Sequence, residues 1–167
     1  MALYHNPSLR SLRGCERGNV MIEFALALPI LCLMLIGMID LGRYGLQRAA
    51  MLEGARAGAE YAVFIVSTQS LTSLSTSNMT AINSTAQNAT GLTGVTASSS
   101  LSCECVSGTS VACTTTCGSG QTLKKYVTVS ATKSFTSVLT KSTLSFGSVG
   151  SWTPPTSLSS SMTMISP

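Results

Sequence analysis

From Val20 to Ile39 the chain reads VMIEFALALPILCLMLIGMI, twenty residues with a single charge at Glu23. At 1.5 Å per residue such a helix spans about 30 Å, the thickness of the hydrocarbon layer of a bilayer. The pattern predicts a membrane span at about 20–39. Residues 40–66 hold no proline and carry small side chains every fourth position, at Ala50, Gly54, Gly58 and Ala62. Such a stripe lets another element approach the backbone closely. Glycine is a poor helix former, so helix propensity alone does not account for it. The helix is therefore predicted to continue beyond the membrane, over 19–66. Leu71, Leu74, Asn78, Ile82, Ala86 and Ala89 fall near one helical face, with Gly91 suited to a C-cap, which predicts a weak helix at about 72–90. Further on the period drops to two. Val95, Ala97, Ser99, Leu101, Cys103 and Cys105 alternate with polar residues, and so do Leu123, Lys125, Val127, Val129 and Ala131. Leu158 to Ile165 reads as a third strand, after Trp152-Thr-Pro154-Pro155, which breaks any helix. The expected class is α+β: a long N-terminal transmembrane helix continuing outside the membrane, then a small antiparallel β-rich exported domain.

Charge gives this pattern an orientation. Arg10, Arg13 and Arg17 precede the apolar run, so the positive-inside rule keeps residues 1–18 in the cytoplasm and exports the rest. The apolar run is too long for a cleaved secretory signal, and Asp40-Leu-Gly-Arg43 follows it instead of an A-x-A-like site. Only 10% of residues are charged, against about 25% in a typical soluble domain. Serine and threonine supply most of the polarity downstream. Between Tyr61 and Leu123 the one charge is Glu104.

Composition also removes whole classes of function. The only histidine is His5 and the only aspartate is Asp40, so neither a Ser-His-Asp triad nor a His/carboxylate metal site is expected. No phosphate-binding glycine loop occurs, and Lys124, Lys125, Lys133 and Lys141 are too sparse for a nucleic-acid face. The expectation is a protein that is not an enzyme and has no cofactor.

Glu23 is the anomaly, because a carboxylate in a membrane helix is costly without a partner. At the membrane edge it would reach the headgroups. A cut after Gly18 offers another solution. Asn19 then becomes residue one, Glu23 becomes residue five, and the new α-ammonium of one subunit can neutralise Glu23 of its neighbour.

A basic leader, a glycine, four residues, a glutamate and an apolar helix together form the type IV prepilin pattern. The stretch Gly18-Asn-Val-Met-Ile-Glu23-Phe24-Ala-Leu-Ala-Leu-Pro29-Ile30, with Gly37, Asp40-Leu-Gly42-Arg43 and Glu53-Gly54-Ala55-Arg56, resembles the TadE-like proteins, minor pilins or pseudopilins of the tight-adherence (Flp) pilus. The resemblance covers about residues 18–62. It implies cleavage between Gly18 and Asn19 by a membrane-embedded aspartyl prepilin peptidase, subunit docking through Glu23, and a short β-rich C-terminal portion. Implied partners are that peptidase, other pilin or pseudopilin subunits, the inner-membrane assembly platform and membrane lipid. Major Flp pilins are much shorter, and Asn19 does not suit the mature N-terminus of type II secretion pseudopilins. Pro29 removes the hydrogen bond to the carbonyl of Ala25 and is expected to kink the span. Cys32 reads as a small hydrophobe in lipid, and Cys15 belongs to the leader.

Cys103, Cys105, Cys113 and Cys117 form C-x-C-x7-C-x3-C. In an oxidising compartment two disulfides are the default, ahead of a four-cysteine zinc site, which would want C-x2-C knuckles. Three pairings remain open. Cross-loop pairing is geometrically easiest if 103–105 end one strand and 113–117 lead into the next. Asn78, Asn83 and Asn88 each begin an N-x-[ST] sequon, which reads as composition rather than glycosylation. The expected organisation is a leader at 1–18, a helix at 19–66, a Ser/Thr/Asn-rich linker or weak helix at 67–92, and a disulfide-stapled domain at 93–167. The expected localisation is the bacterial inner membrane, single-pass, with a cytoplasmic N-terminus. The functional expectation is a structural component of the pilus. The alternative is an unprocessed signal-anchored envelope protein whose exported domain binds a ligand or surface.

Overall fold

The computed structural model describes residues 16–106, 108–138, 144, 145, 148 and 151–166, without the side chains of 16–19, 144, 145 and 152. Most of the leader, with His5, Arg10, Arg13 and Cys15, lies outside the described residues, as does Lys141. The first element is one helix, α1 (Glu16–Thr68), which runs through Pro29 without interruption. Among the described residues it is the one helix long and apolar enough to cross a membrane. Side chains from Val20 to Ile39 are almost all exposed, including Phe24, Leu26, Met34 and Leu35. This stretch buries nothing against its own chain.

Residues 40–167 form a separate compact unit. Within it the second half of α1 turns one face inward. Met51, Gly54, Ala55, Gly58, Ala59, Ala62, Ile65 and Val66 are buried, following the three-and-four spacing of an amphipathic helix. The helix α2 (Thr76–Ala89) starts four residues later than the sequence suggests. Ser75 is its N-cap, accepting the amide of Asn78 at 3.3 Å. Gly91 follows the helix with φ +61°, the left-handed value that ends a helix cheaply in glycine. Ile82 and Ala86 are the buried residues of α2, whereas Ala89 is exposed and Thr90 is buried in its place.

The sheet contains β1 (Val95–Val106), β2 (Thr109–Val111), β3 (Lys124–Ser134) and β6 (Ser157–Ser166), antiparallel in the order β2-β1-β3-β6. A separate pair joins β4 (Leu144–Ser145) to β5 (Ser151–Trp152). The α+β expectation holds, with the three long strands at the predicted places. The three short ones give no periodic signal. Register aligns Ala97 with Ala131, Leu101 with Val127, and Val127 with Met164, so one face of the sheet is apolar. That face meets the helices: Val127 and Val129 join Ala59, Ala62, Ile65, Val66, Ile82 and Ala86 in one core, and Ala131 and Val95 join Met51 in a second. Lys125 and Lys133 share this face near its two ends. Each turns its ammonium outward onto a loop carbonyl, Lys125 to Leu71 at 2.9 Å and Lys133 to Thr93. The opposite face is a hydroxyl lattice. Thr96 pairs with Thr132 at 2.7 Å and Thr128 with Thr163 at 2.9 Å.

Disulfides join Cys103 to Cys113 and Cys105 to Cys117, closing the turn through β2 by cross-loop pairing. Each contributes about 2–4 kcal/mol by restricting the unfolded chain. In a chain with 5% aromatic residues that supplement matters, because few large side chains are available for the core.

At the two inner glycines atoms of α2 and its C-cap lie close to the α1 backbone. A methyl group added at Gly54 would stand 2.3 Å from Thr90 Cγ2 and 2.6 Å from the carbonyl oxygen of Ala86. At Gly58 it would stand 2.7 Å from Ala86 Cβ. Gly54→Ala is therefore expected to destabilise the domain by about 1–3 kcal/mol, overriding alanine's better helix propensity. Gly45→Ala, where an added Cβ meets nothing within 4 Å, is expected to be neutral or stabilising by up to about 1 kcal/mol. Thermal unfolding of the full chain in detergent, followed by near-ultraviolet circular dichroism, checks both.

Candidate functional site

The chain's candidate functional residues fall into three groups. The first is the start of α1. Gly18 and Asn19 lie in its opening turn, and Glu23 follows on the same helix with its side chain exposed. Around it Val20, Met21, Ile22 and Phe24 are exposed hydrophobics. Among the described side chains no cation pairs with the Glu23 carboxylate. Cys32 is a free thiol on the same apolar stretch, beside Leu28, Leu31, Leu35 and Ile36.

The second group lies where the apolar run ends. Asp40 is 5% exposed, although it is the first charged residue after Glu23. Its carboxylate accepts the backbone amide of Val138, at 3.0 Å to Oδ1 and 2.9 Å to Oδ2, and the hydroxyl of Ser137. Arg43 stands one turn on, with Nη1 3.8 Å from Oδ1. Its guanidinium also lies 6.0 Å from the centre of the Phe135 ring, and Tyr44 meets that ring edge-on at 5.5 Å. Phe135 is held in turn by its own amide, which donates to the carbonyl of Thr156 at 2.9 Å. Asp40, Arg43 and Tyr44 thus clasp the segment leaving β3. The Val138 amide and the Ser137 hydroxyl donate to this buried carboxylate and Arg43 adds a nearby positive charge, which explains why the chain tolerates it there. Sequence reasoning gave this clasp no role. The available signal was the chain's one aspartate at the end of the apolar run, within Asp40-Leu-Gly42-Arg43.

The third group is the small-residue face of α1. Gly54, Gly58 and Ala62 are buried and Ala50 is half-buried. This face packs within the chain, on α2 and β3, with Val129 Cγ1 3.1 Å from an added Cβ at Gly58. On the opposite flank Arg56 Nε donates to Glu60 Oε1 at 2.9 Å. The Glu60 hydrogen bond and charge, then the charge of Glu53, push the guanidinium above its ordinary range. Both side chains of the Arg56–Glu60 pair are exposed. Among the described residues no cluster of histidine, cysteine or carboxylate could hold a metal.

These features define a class: a protein with one apolar helix compatible with a single-pass membrane anchor, continued into an α+β domain stapled by two disulfides. Residues 18–60 match the family model of TadE-like proteins, so the N-terminal region of the chain is similar to that family. That family is structural and associated with the tight-adherence pilus. Searches of curated proteins and of solved structures find no match. The matched stretch holds Gly18, Glu23, the helical residues of the clasp (Asp40, Arg43 and Tyr44) and the inner glycines, and it ends before α2 and the sheet.

Asp40→Ala is expected to cost about 1.5–3 kcal/mol, since the Val138 amide and the Ser137 hydroxyl lose a charged acceptor. Arg43→Ala removes only the half-exposed partner, and its ion-pair loss is expected to stay under about 1 kcal/mol. Faster amide exchange at Val138 in the Asp40 variant, with little change at the distant Val127, would locate the loss at the clasp.

Proposed function

We propose that this chain is a minor pilin or pseudopilin of the tight-adherence pilus, made as a prepilin and cut between Gly18 and Asn19. The observation that carries the reading is the coincidence of a TadE-like match over 18–60 with an apolar helix segment that its own chain leaves uncovered. A segment of that kind needs lipid or other helices around it. The bilayer supplies the first before assembly, and neighbouring subunits supply the second afterwards.

On this reading residues 1–18 face the cytoplasm and anchor the precursor's orientation through Arg10, Arg13 and Arg17. Cleavage by the prepilin peptidase removes those charges and creates an α-ammonium on Asn19. Glu23, four residues along, then docks against the ammonium of a neighbouring subunit. Pairing makes two charges tolerable in an apolar assembly where either alone would be prohibitive. Pro29 shapes the helix where subunits stack. The α+β domain, 67–167 with the upper part of α1, faces outward from the inner membrane. The protein is the substrate of the peptidase and a building element for the assembly platform, not itself a catalyst.

Intact mass of the membrane-extracted protein tests the reading. A chain beginning at Asn19 is expected, and Gly18→Asp is expected to leave residues 1–18 attached. Glu23→Gln leaves the neighbour's ammonium unpaired. Breaking a buried pair costs about 3–5 kcal/mol, so its incorporation into sheared pili is expected to fall more than about tenfold while cleavage continues. A wild-type chain that retains residues 1–18 overturns the proposal in favour of an unprocessed signal-anchored envelope protein.

A further inference from the structure

The two edges of the four-stranded sheet are unlike. On one side β2, three residues long and stapled by the disulfides, pairs with Cys103–Val106 of β1, and α2 packs against β1. The β6 edge runs for ten residues, Ser157–Ser166, and contains no charge, no proline and no glycine. Natural sheets usually blunt a long edge with lysine, proline or a bulge, because its unpaired amides and carbonyls template another strand. Here the pairing of β3 with β6 is regular over all ten positions, with no bulge to twist the edge away.

Alongside this edge lies an open groove of about 530 Å³, lined by Ser159, Ser160 and Ser161 on one side and by Gly45, Arg48, Ala49 and Leu52 of α1 on the other. The helical wall is unusually low. Gly54 and Gly58 are required by internal packing, but an added Cβ at Gly45 meets nothing within 4 Å. Internal packing thus gives no reason for a poor helix former at position 45. The space it leaves faces the bare strand. Arg48 is exposed and has no carboxylate partner among the described residues, so the groove has one sign of charge at its wall.

We propose that this groove receives an extended strand of another polypeptide, which adds to β6 as a fifth strand and sets a carboxylate against Arg48. Main-chain hydrogen bonds to β6 supply the pairing, as in strand addition generally, and the arginine supplies the preference. Charge complementarity selects an acidic strand over a second copy of the same edge, because 157–166 contains no acid. The inference is independent of the pilus reading.

The test uses the full chain in detergent micelles and two synthetic peptides of alternating threonine and valine, one with a central glutamate and one with a central lysine. The glutamate peptide is expected to shift the amide resonances of Ser159, Ser160 and Ser161 and to bind at least about fivefold more tightly than the lysine peptide. Arg48→Glu is expected to invert that preference. Gly45→Leu combined with Ser161→Lys, both on open surface, is expected to abolish binding with thermal unfolding unchanged. Equal affinity for the two peptides, or binding undiminished by the paired substitution, would overturn the proposal. So would self-association of the native chain through Ser159–Ser161, which would make a second copy the occupant.

Discussion

The domain depends on how closely two helices and a sheet can approach through small side chains. With few aromatic residues and few charges, this chain cannot build its core from large residues or stabilise its surface through ion-pair networks. It shortens distances instead. Gly54 and Gly58 let Thr90, Ala86 and Val129 come to the α1 backbone itself, where a single methyl group would collide. Dispersion falls away steeply with separation, so many tight contacts among alanine, glycine and valine can stand in for fewer contacts among larger groups. The two disulfides add a restraint that requires no core volume.

The same helix has two characters. From Val20 to Ile39 its side chains, Glu23 apart, are apolar all round and almost all exposed. From Asp40 on they divide into a buried small-residue face and a solvated face bearing Glu53, Arg56 and Glu60. The change falls at a residue that is itself buried and charged. Asp40 binds the chain leaving β3 back to the helix, so the last turn of pure hydrocarbon is followed at once by a turn held to the domain. A hydrophobe there would lack partners for the Val138 amide, and an exposed acid would leave the segment 135–138 untethered. The aspartate is a structural residue whose position is set by where the apolar run stops.

Much of the architecture was legible in the sequence. A twenty-residue apolar run reads as a helix long enough to cross a bilayer, and the two-residue alternation of β1 and β3 survives in a domain whose inner face must be apolar. β6 was legible because two prolines clear the way for it. The start of α2 was less so, since Ser75 is only one hydroxyl among many in 70–80 that might cap a helix. The clasp escaped because it joins residues about 97 positions apart, and no local pattern announces such a contact. Gly18, Asn19 and Glu23 are a different case. They are readable only as a motif, because the roles proposed for them arise after cleavage and between subunits, where a single chain has nothing to display.

Glycine shows how the two kinds of information differ. In the sequence Gly42, Gly45, Gly54 and Gly58 are alike, four weak points in a long helix. The structure separates them. Two are filled from within the chain, and two stand open to solvent on the part of the helix nearest the apolar run. Internal packing accounts for the first pair and has no bearing on the second. A helix that bears six glycines and still runs unbroken for 53 residues must gain elsewhere what propensity withholds. For Gly54 and Gly58 the gain is the core. For Gly45 the open groove beside an unprotected strand is the feature that the missing side chain leaves accessible, and an added strand would give this glycine the packing role that the isolated chain does not.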